Sequence, residues 1–205
     1  MERYLFMRHV LQQLSQSVFF RKAFSLALRS LAFVIILAGL SGFVRIWNAF
    51  SGLPGSRILG GIIFEVLFVI ALYMVVHTIF IRARQIAEIQ VTEYAVTHVF
   101  SIFSKLAGEA YAAFSTAVAV GGGIFIWFAG AEARDTVSKV APFIVKRGDA
   151  SFAGGVEFML GGILTGLFVL ACSYLLSEFF AIVVSIARNA REVQEIAQSY
   201  DKSEK

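Results

Sequence analysis

Charge is scarce in these 205 residues: Asp, Glu, Lys and Arg make up 16%, against 58% hydrophobic residues and a mean hydropathy of +0.76. A soluble domain has about a quarter of its residues charged. So few charges around several long apolar runs exclude a water-soluble core and define an all-α, polytopic membrane protein. A β-barrel is excluded because barrel strands alternate with period two, whereas these runs are continuously apolar. Cysteine is nearly absent. The single Cys172 rules out an intrachain disulfide and a cysteine-based zinc site. Histidine is almost as rare. His9 and His98 fall outside the apolar runs, leaving His77, so the membrane segments cannot supply a haem pair or a metal cluster. Gly121, Gly122 and Gly123 do not link a strand to a helix and are not a phosphate loop. No nucleophile–base constellation stands out. Neither a cofactor nor a nucleic-acid partner is expected. Roughly 29 mixed residues precede the first apolar run, whereas a signal peptide carries its apolar region near the start, so no cleavage is expected.

Four runs are long enough to cross a hydrocarbon core, which takes about 20 residues. They lie at about 30–48, 58–81, 111–130 and 159–187. Basic residues sort by side. Twelve lie before the first span, between spans two and three, or after the fourth; six lie on the opposite side. The positive-inside rule then predicts a multi-pass cell-membrane protein with both termini cytoplasmic. Trp47 and Trp127 fall near the outer ends of spans one and three, where an aromatic belt would hold them. Residues 82–110 keep an apolar spacing of three and four (Ile86, Ile89, Val96, Phe100, Phe103, Ala107). This predicts that span two runs on as a cytoplasmic helix, followed by an amphipathic helix. Tyr4, Met7, Leu11, Leu14 and Val18 predict a similar helix at the N-terminus, either lying on the membrane or contacting a partner. The segment after span four is expected to extend it and fray after Tyr200.

Two halves, 1–90 and 91–205, read as copies of one unit: amphipathic helix, span, short outer loop, span, cytoplasmic helix. His9-Val10 matches His98-Val99, and Ile46-Trp47 matches Ile126-Trp127. Leu59-Gly60-Gly61-Ile62 matches Leu160-Gly161-Gly162-Ile163, with Tyr73 and Tyr174 at the same offset beyond. Ala83-Arg84 matches Ala190-Arg191. The matches keep their order. Two spans per unit give the copies one orientation, a parallel repeat rather than an inverted one. Such units readily form rings when several chains associate. Ser115, Ala119 and Gly123 recur every four positions, as do Gly162 and Gly166. Small residues at this spacing let helices pack closely without a hydrophobic driving force. They serve packing within the chain or an interface between subunits.

Ionisable groups at bilayer depth cost roughly 2.5–3.5 kcal/mol on insertion scales and stand as candidate sites. Four qualify: Arg45, Glu65, His77 and Glu178. Arg45 and Glu65 differ in depth by about 6 Å across an antiparallel hairpin, within reach of a long arginine. A structural ion pair is the expectation. A free carboxylate lining a watery path and a protonated carboxyl facing neighbouring helices are the alternatives. His77 stands about 18 Å and 120° from Glu65, so these two do not share a site. The repeat aligns His77 with Glu178 near the cytoplasmic side, where a His–carboxylate pair would relay protons, hold a cation or simply snorkel.

These features favour a non-catalytic integral subunit that oligomerises or assembles a larger membrane complex, its partners being the bilayer and further copies or other membrane subunits. An oligomeric ion or proton channel comes second, and a membrane-embedded enzyme or redox subunit third. Four spans make a direct prediction. A reporter fused after Lys205 and one inserted within 134–149 should report opposite sides of the membrane, and the same side for both would refute the span count.

Overall fold

The computed structural model describes residues 17–53, 55–89, 95–142, 144 and 149–203. Every element among them is a helix: α1 (Ser17–Phe50), α2 (Ser56–Glu88), α3 (Ala95–Ala129), α4 (Ala131–Val140) and α5 (Phe152–Ser203). Lipid offers the backbone no hydrogen-bond partners, so a spanning segment must satisfy its own, as a helix does. Of the five, α1, α2, α3 and α5 are long and apolar enough to cross a membrane. The ends carrying Arg21, Arg82 and Arg188 are called the basic end below, and the opposite one the loop end.

The expected spans are parts of longer helices, the first three lying at the loop ends of α1, α2 and α3 and the fourth in the middle of α5. Residues 95–129 form one unbroken helix, so the amphipathic stretch expected ahead of span three is the first part of α3 itself. The expected stripe is not the face that packs: Phe100, Phe103 and Ala107 are exposed, and the face on α2 is displaced by one residue, so that Val99 and Leu106 join Val75, Ile79, Ala83 and Ile86 in one buried cluster. The stripe over residues 4–14 lies outside the described residues, as does His9.

The helices pack in series, α1 on α2, α2 on α3 and α3 on α5. The α1–α2 contact is close because Gly39 faces Leu72, Gly42 faces Phe68 and Gly61 faces Phe50. The α3–α5 contact is closer and more polar. Gly162 meets Ala119, and a Cβ built on Gly166 would lie 2.5 Å from Ser115 Oγ. Gly123 lies against Gly155 and Met159, and Gly108 against Ser173. Ser104 Oγ donates to Ser173 O at 2.9 Å, and the Ser101 and Ser177 hydroxyls share a hydrogen bond at 2.5 Å. The predicted small-residue faces therefore meet each other within one chain.

The second loop-end connection is more than a loop. Gly130, with φ +59°, adopts the left-handed conformation that glycine accepts without penalty, and the chain reverses there. The following α4 runs back alongside α3. Its Val137 reaches Gly122, about 10 Å below the end of α3. Ala133, Thr136 and Val137 are buried, while Glu132, Asp135 and Lys139 face outward. A loop-end core of Ile46, Phe50, Phe64, Phe125, Ile126 and Phe158 closes around them. Ser151 Oγ then accepts from Gly154 N–H at 3.1 Å and caps the start of α5. The same hydroxyl donates to Asp149, holding that carboxyl below the ordinary aspartate range.

Burial is uneven. Half of the most apolar stretch of α3 (50%) is buried inside the protein, against 6% for α5. Thus α3 is the spine, and α5 is held along one narrow face. Gly166→Val should overpack that face and destabilise the protein by about 1–3 kcal/mol. Gly52→Val, at a glycine with open space around it, should be near neutral. Unfolding of both variants in detergent checks the contrast.

Candidate functional site

Glu65 belongs to the stripe of α2 that faces α1. Gly61, Glu65, Phe68 and Leu72 recur at four, three and four residues, and Gly61, Phe68 and Leu72 all touch α1. Glu65 is accordingly buried, at 6% exposure, and its Oε1 has no hydrogen-bond partner among the described residues. The expected pair with Arg45 is not formed. The reason is register. The seam of α1 toward α2 runs through Gly39, Gly42, Ile46 and Phe50, and Arg45, one residue before Ile46, stands about 100° off it. Matching depth was necessary and did not suffice. Arg45 is exposed and lines an open polar pocket of about 570 Å³ with Asn48, Glu132, Asp135 and Lys139. Nearby, Arg57 pairs with Glu132 at 3.4 Å. An isolated carboxylate in a low-dielectric interior is costly enough that the group takes its neutral, protonated form. The geometry removes the ion pair with Arg45 and leaves Glu65 buried on the side of α2 that faces α1.

His77 and Glu178 are both exposed and do not meet. His77 stacks on Tyr73, with centroids 5.6 Å apart. The two sit on helices separated by α3, so equivalence in sequence brings no contact in space. Among the described residues no group of three His, Cys, Asp or Glu gathers to hold a metal.

The polar centre of the bundle lies elsewhere. Arg82 Nε donates to Glu109 Oε2 at 2.9 Å, and Arg82 Nη2 pairs with Glu109 Oε1, giving a two-pronged contact between α2 and α3. Arg82 Nη1 donates to Gln85 Oε1 at 2.7 Å. From α5, Tyr174 Oη donates to Glu109 Oε1 at 2.6 Å, and Lys105 Nζ stands 5.3 Å from the Tyr174 ring centroid. The Arg82 and Glu109 side chains are 16% and 20% exposed. One carboxylate thus ties three helices together, and the fork of the guanidinium matches it in a way lysine would not. With its acceptors occupied, Glu109 is a clamp rather than a base. Arg21 adds a second tie, donating through Nη1 to Ile89 O just past the end of α2. A cation suits that position because helix carbonyls converge there.

Sequence reasoning passed over Glu109 because the third span was expected to begin at 111. The signal was available: Lys105 and Glu109, four residues apart, are the only Lys, Arg, Asp or Glu residues between 95 and 129.

An apolar crevice of about 420 Å³ opens between α1 and α3, lined by Gly39, Gly42, Phe68, Leu72 and Phe114 and roofed by Val140. Glu65 lies one helical turn above Phe68 on the same stripe. No protein-family model, curated protein or solved structure matches this chain.

Two double-mutant cycles separate the polar groups. Arg82→Gln and Glu109→Gln should each cost about 2–4 kcal/mol, somewhat below a fully buried pair, and should couple strongly. Arg45→Gln and Glu65→Gln should each be near neutral and additive within about 0.5 kcal/mol. Unfolding titrations in mixed micelles measure both, and coupling of Arg45 to Glu65 would contradict the register argument.

Proposed function

We propose that this chain is a non-catalytic integral membrane subunit that assembles with further membrane-protein chains. The observation that carries the reading is α5. It is 52 residues long, about 78 Å at 1.5 Å per residue, against a hydrocarbon core of about 30 Å. It is held to the rest of the chain along one face only. Its other face exposes Leu175, Phe179, Ile182 and Ile186. The polar chemistry supports the same reading, because Arg82, Glu109 and Tyr174 satisfy one another and fasten helices. In this proposal both termini are cytoplasmic, and the two hairpins α1–α2 and α3–α5 descend from one parallel unit. Gly61 and Gly162 occupy matching places, each admitting the preceding helix of its own hairpin.

A second reading, an oligomeric ion or proton channel, is favoured by the unpartnered Glu65 oxygen alone. Against it, Glu65 faces α1 inside the chain between Phe50 and Phe68, not a surface that several copies would share.

Native mass spectrometry of the protein from nanodiscs should show more than one chain per particle, and reconstituted liposomes should show no ion or proton flux. A lone chain would refute the assembly reading. Flux abolished by Glu65→Gln would favour the channel.

A further inference from the structure

On α5, two opposite faces carry seven-residue repeats. The face on α3 is small, with Gly155, Gly162, Gly166, Ser173 and Ser177. The opposite face is large and apolar: Leu175, Phe179, Ile182, Ile186, Val193 and Ile196, each 56–67% exposed. Their intervals are four, three, four, seven and three. The single missing member is filled by Asn189, also exposed. A stripe that follows the 3.6-residue turn of a straight helix drifts by about 20° per seven residues. A stripe that holds strictly to seven over three repeats matches a left-handed supercoil instead.

Lipid does not account for the whole stripe. The apolar run ends at Ala187. Beyond it, the exposed ion pairs Arg188–Glu192 (3.2 Å) and Arg191–Glu195 (3.4 Å) mark a polar segment. Val193 and Ile196 lie about 8 and 12 Å past Arg188 along the axis. Because α5 is unbroken, this segment continues the direction of the spanning helix and cannot lie flat on the membrane surface. Polar residues fill the side that continues the α3 face, at Arg188, Arg191, Glu195 and Gln198, so the apolar character persists on one side only.

We propose that this stripe is the seam of a parallel coiled coil with α5 of a second copy of the same chain. The proposal rests on the assembly reading above and names its partner and surface. A second copy suits the seam in three ways. Two copies inserted in one membrane with the same topology run parallel by necessity, and the stripe keeps its register from bilayer into solvent. Charge permits the approach: in a parallel pair Glu178, Ser185 and Glu192 would flank Val183, Ala190 and Ala197 of the other copy, so no like charges oppose. Area suffices: six side chains on each copy burying about 100 Å² apiece give about 1,200 Å², above the roughly 1,000 Å² that a specific interface needs. Asn189 then faces its counterpart as the single polar layer of an otherwise apolar seam.

Single cysteines introduced into a Cys172→Ser background test this in native membranes under copper–phenanthroline oxidation. Val193→Cys and Ile196→Cys should give at least about fivefold more cross-linked dimer than Gln194→Cys and Gln198→Cys, whose positions point away from the seam axis. All four are exposed surface positions outside the apolar run, so the substitutions leave the core intact. Equal yields at all four positions, or no dimer at the seam positions, would overturn the proposal. Particle mass separates the two failures. Several chains per particle without seam cross-links would remove the seam and leave the assembly reading, whereas one chain per particle would remove both.

Discussion

The close approach of α3 and α5 is the contact on which the rest of the structure depends. In lipid no hydrophobic force pulls helices together, so association rests on packing and hydrogen bonds between surfaces that fit. Here the fit comes from glycine, alanine and serine. Gly123, Ala119, Ser115 and Gly108 on α3 lie against Gly155, Gly162, Gly166 and Ser173 on α5. Toward the basic end serines take over, and the Ser104 and Ser101 hydroxyls bond to Ser173 and Ser177. Each position that brings the backbones close also forbids a larger side chain, so the seam is intolerant along its length.

Two consequences follow from that contact. A helix held by small residues on one side leaves its bulky residues on the other, and α5 presents them in a row. The other consequence is placement of the polar clamp. Bringing α5 near α3 carries Tyr174 to Glu109, which already holds Arg82 from α2. The α2–α3–α5 arrangement is then pinned at the basic end by one carboxylate and at the loop end by α4, whose Val137 fills the space beside Gly122. Glu65 sits outside both arrangements. It is a buried carboxyl whose Oε1 has no hydrogen-bond partner among the described residues.

Much of this was legible in the residues. Apolar run length located four spanning helices, and Ser115-Ala119-Gly123 and Gly162-x-x-x-Gly166 marked a packing face that the fold uses. What escaped notice did so for identifiable reasons. Depth along a helix can be counted from a sequence, but rotation about the axis depends on which neighbour a helix meets, and that misplaced Arg45 against Glu65. His77 and Glu178 were joined by repeat equivalence, yet similar positions in two hairpins need not touch when a third helix stands between them. Helix ends were the weakest inference: apolar run length understated α3 by more than a dozen residues and hid Glu109 outside the expected span. The reversal at Gly130 that folds α4 back was also missed, because its polar face reads as loop.

The packing of α3 on α5 is open to one direct measurement. Ser101 and Ser177 have hydroxyl oxygens 2.5 Å apart, close to the geometry two cysteine sulfurs need. In a Cys172→Ser background, the pair Ser101→Cys and Ser177→Cys should form a disulfide within each chain. It would be seen as two fragments held together until reduced, after cleavage at a protease site placed between α3 and α5. Fragments that separate without reductant, or links found only between different chains, would contradict this packing.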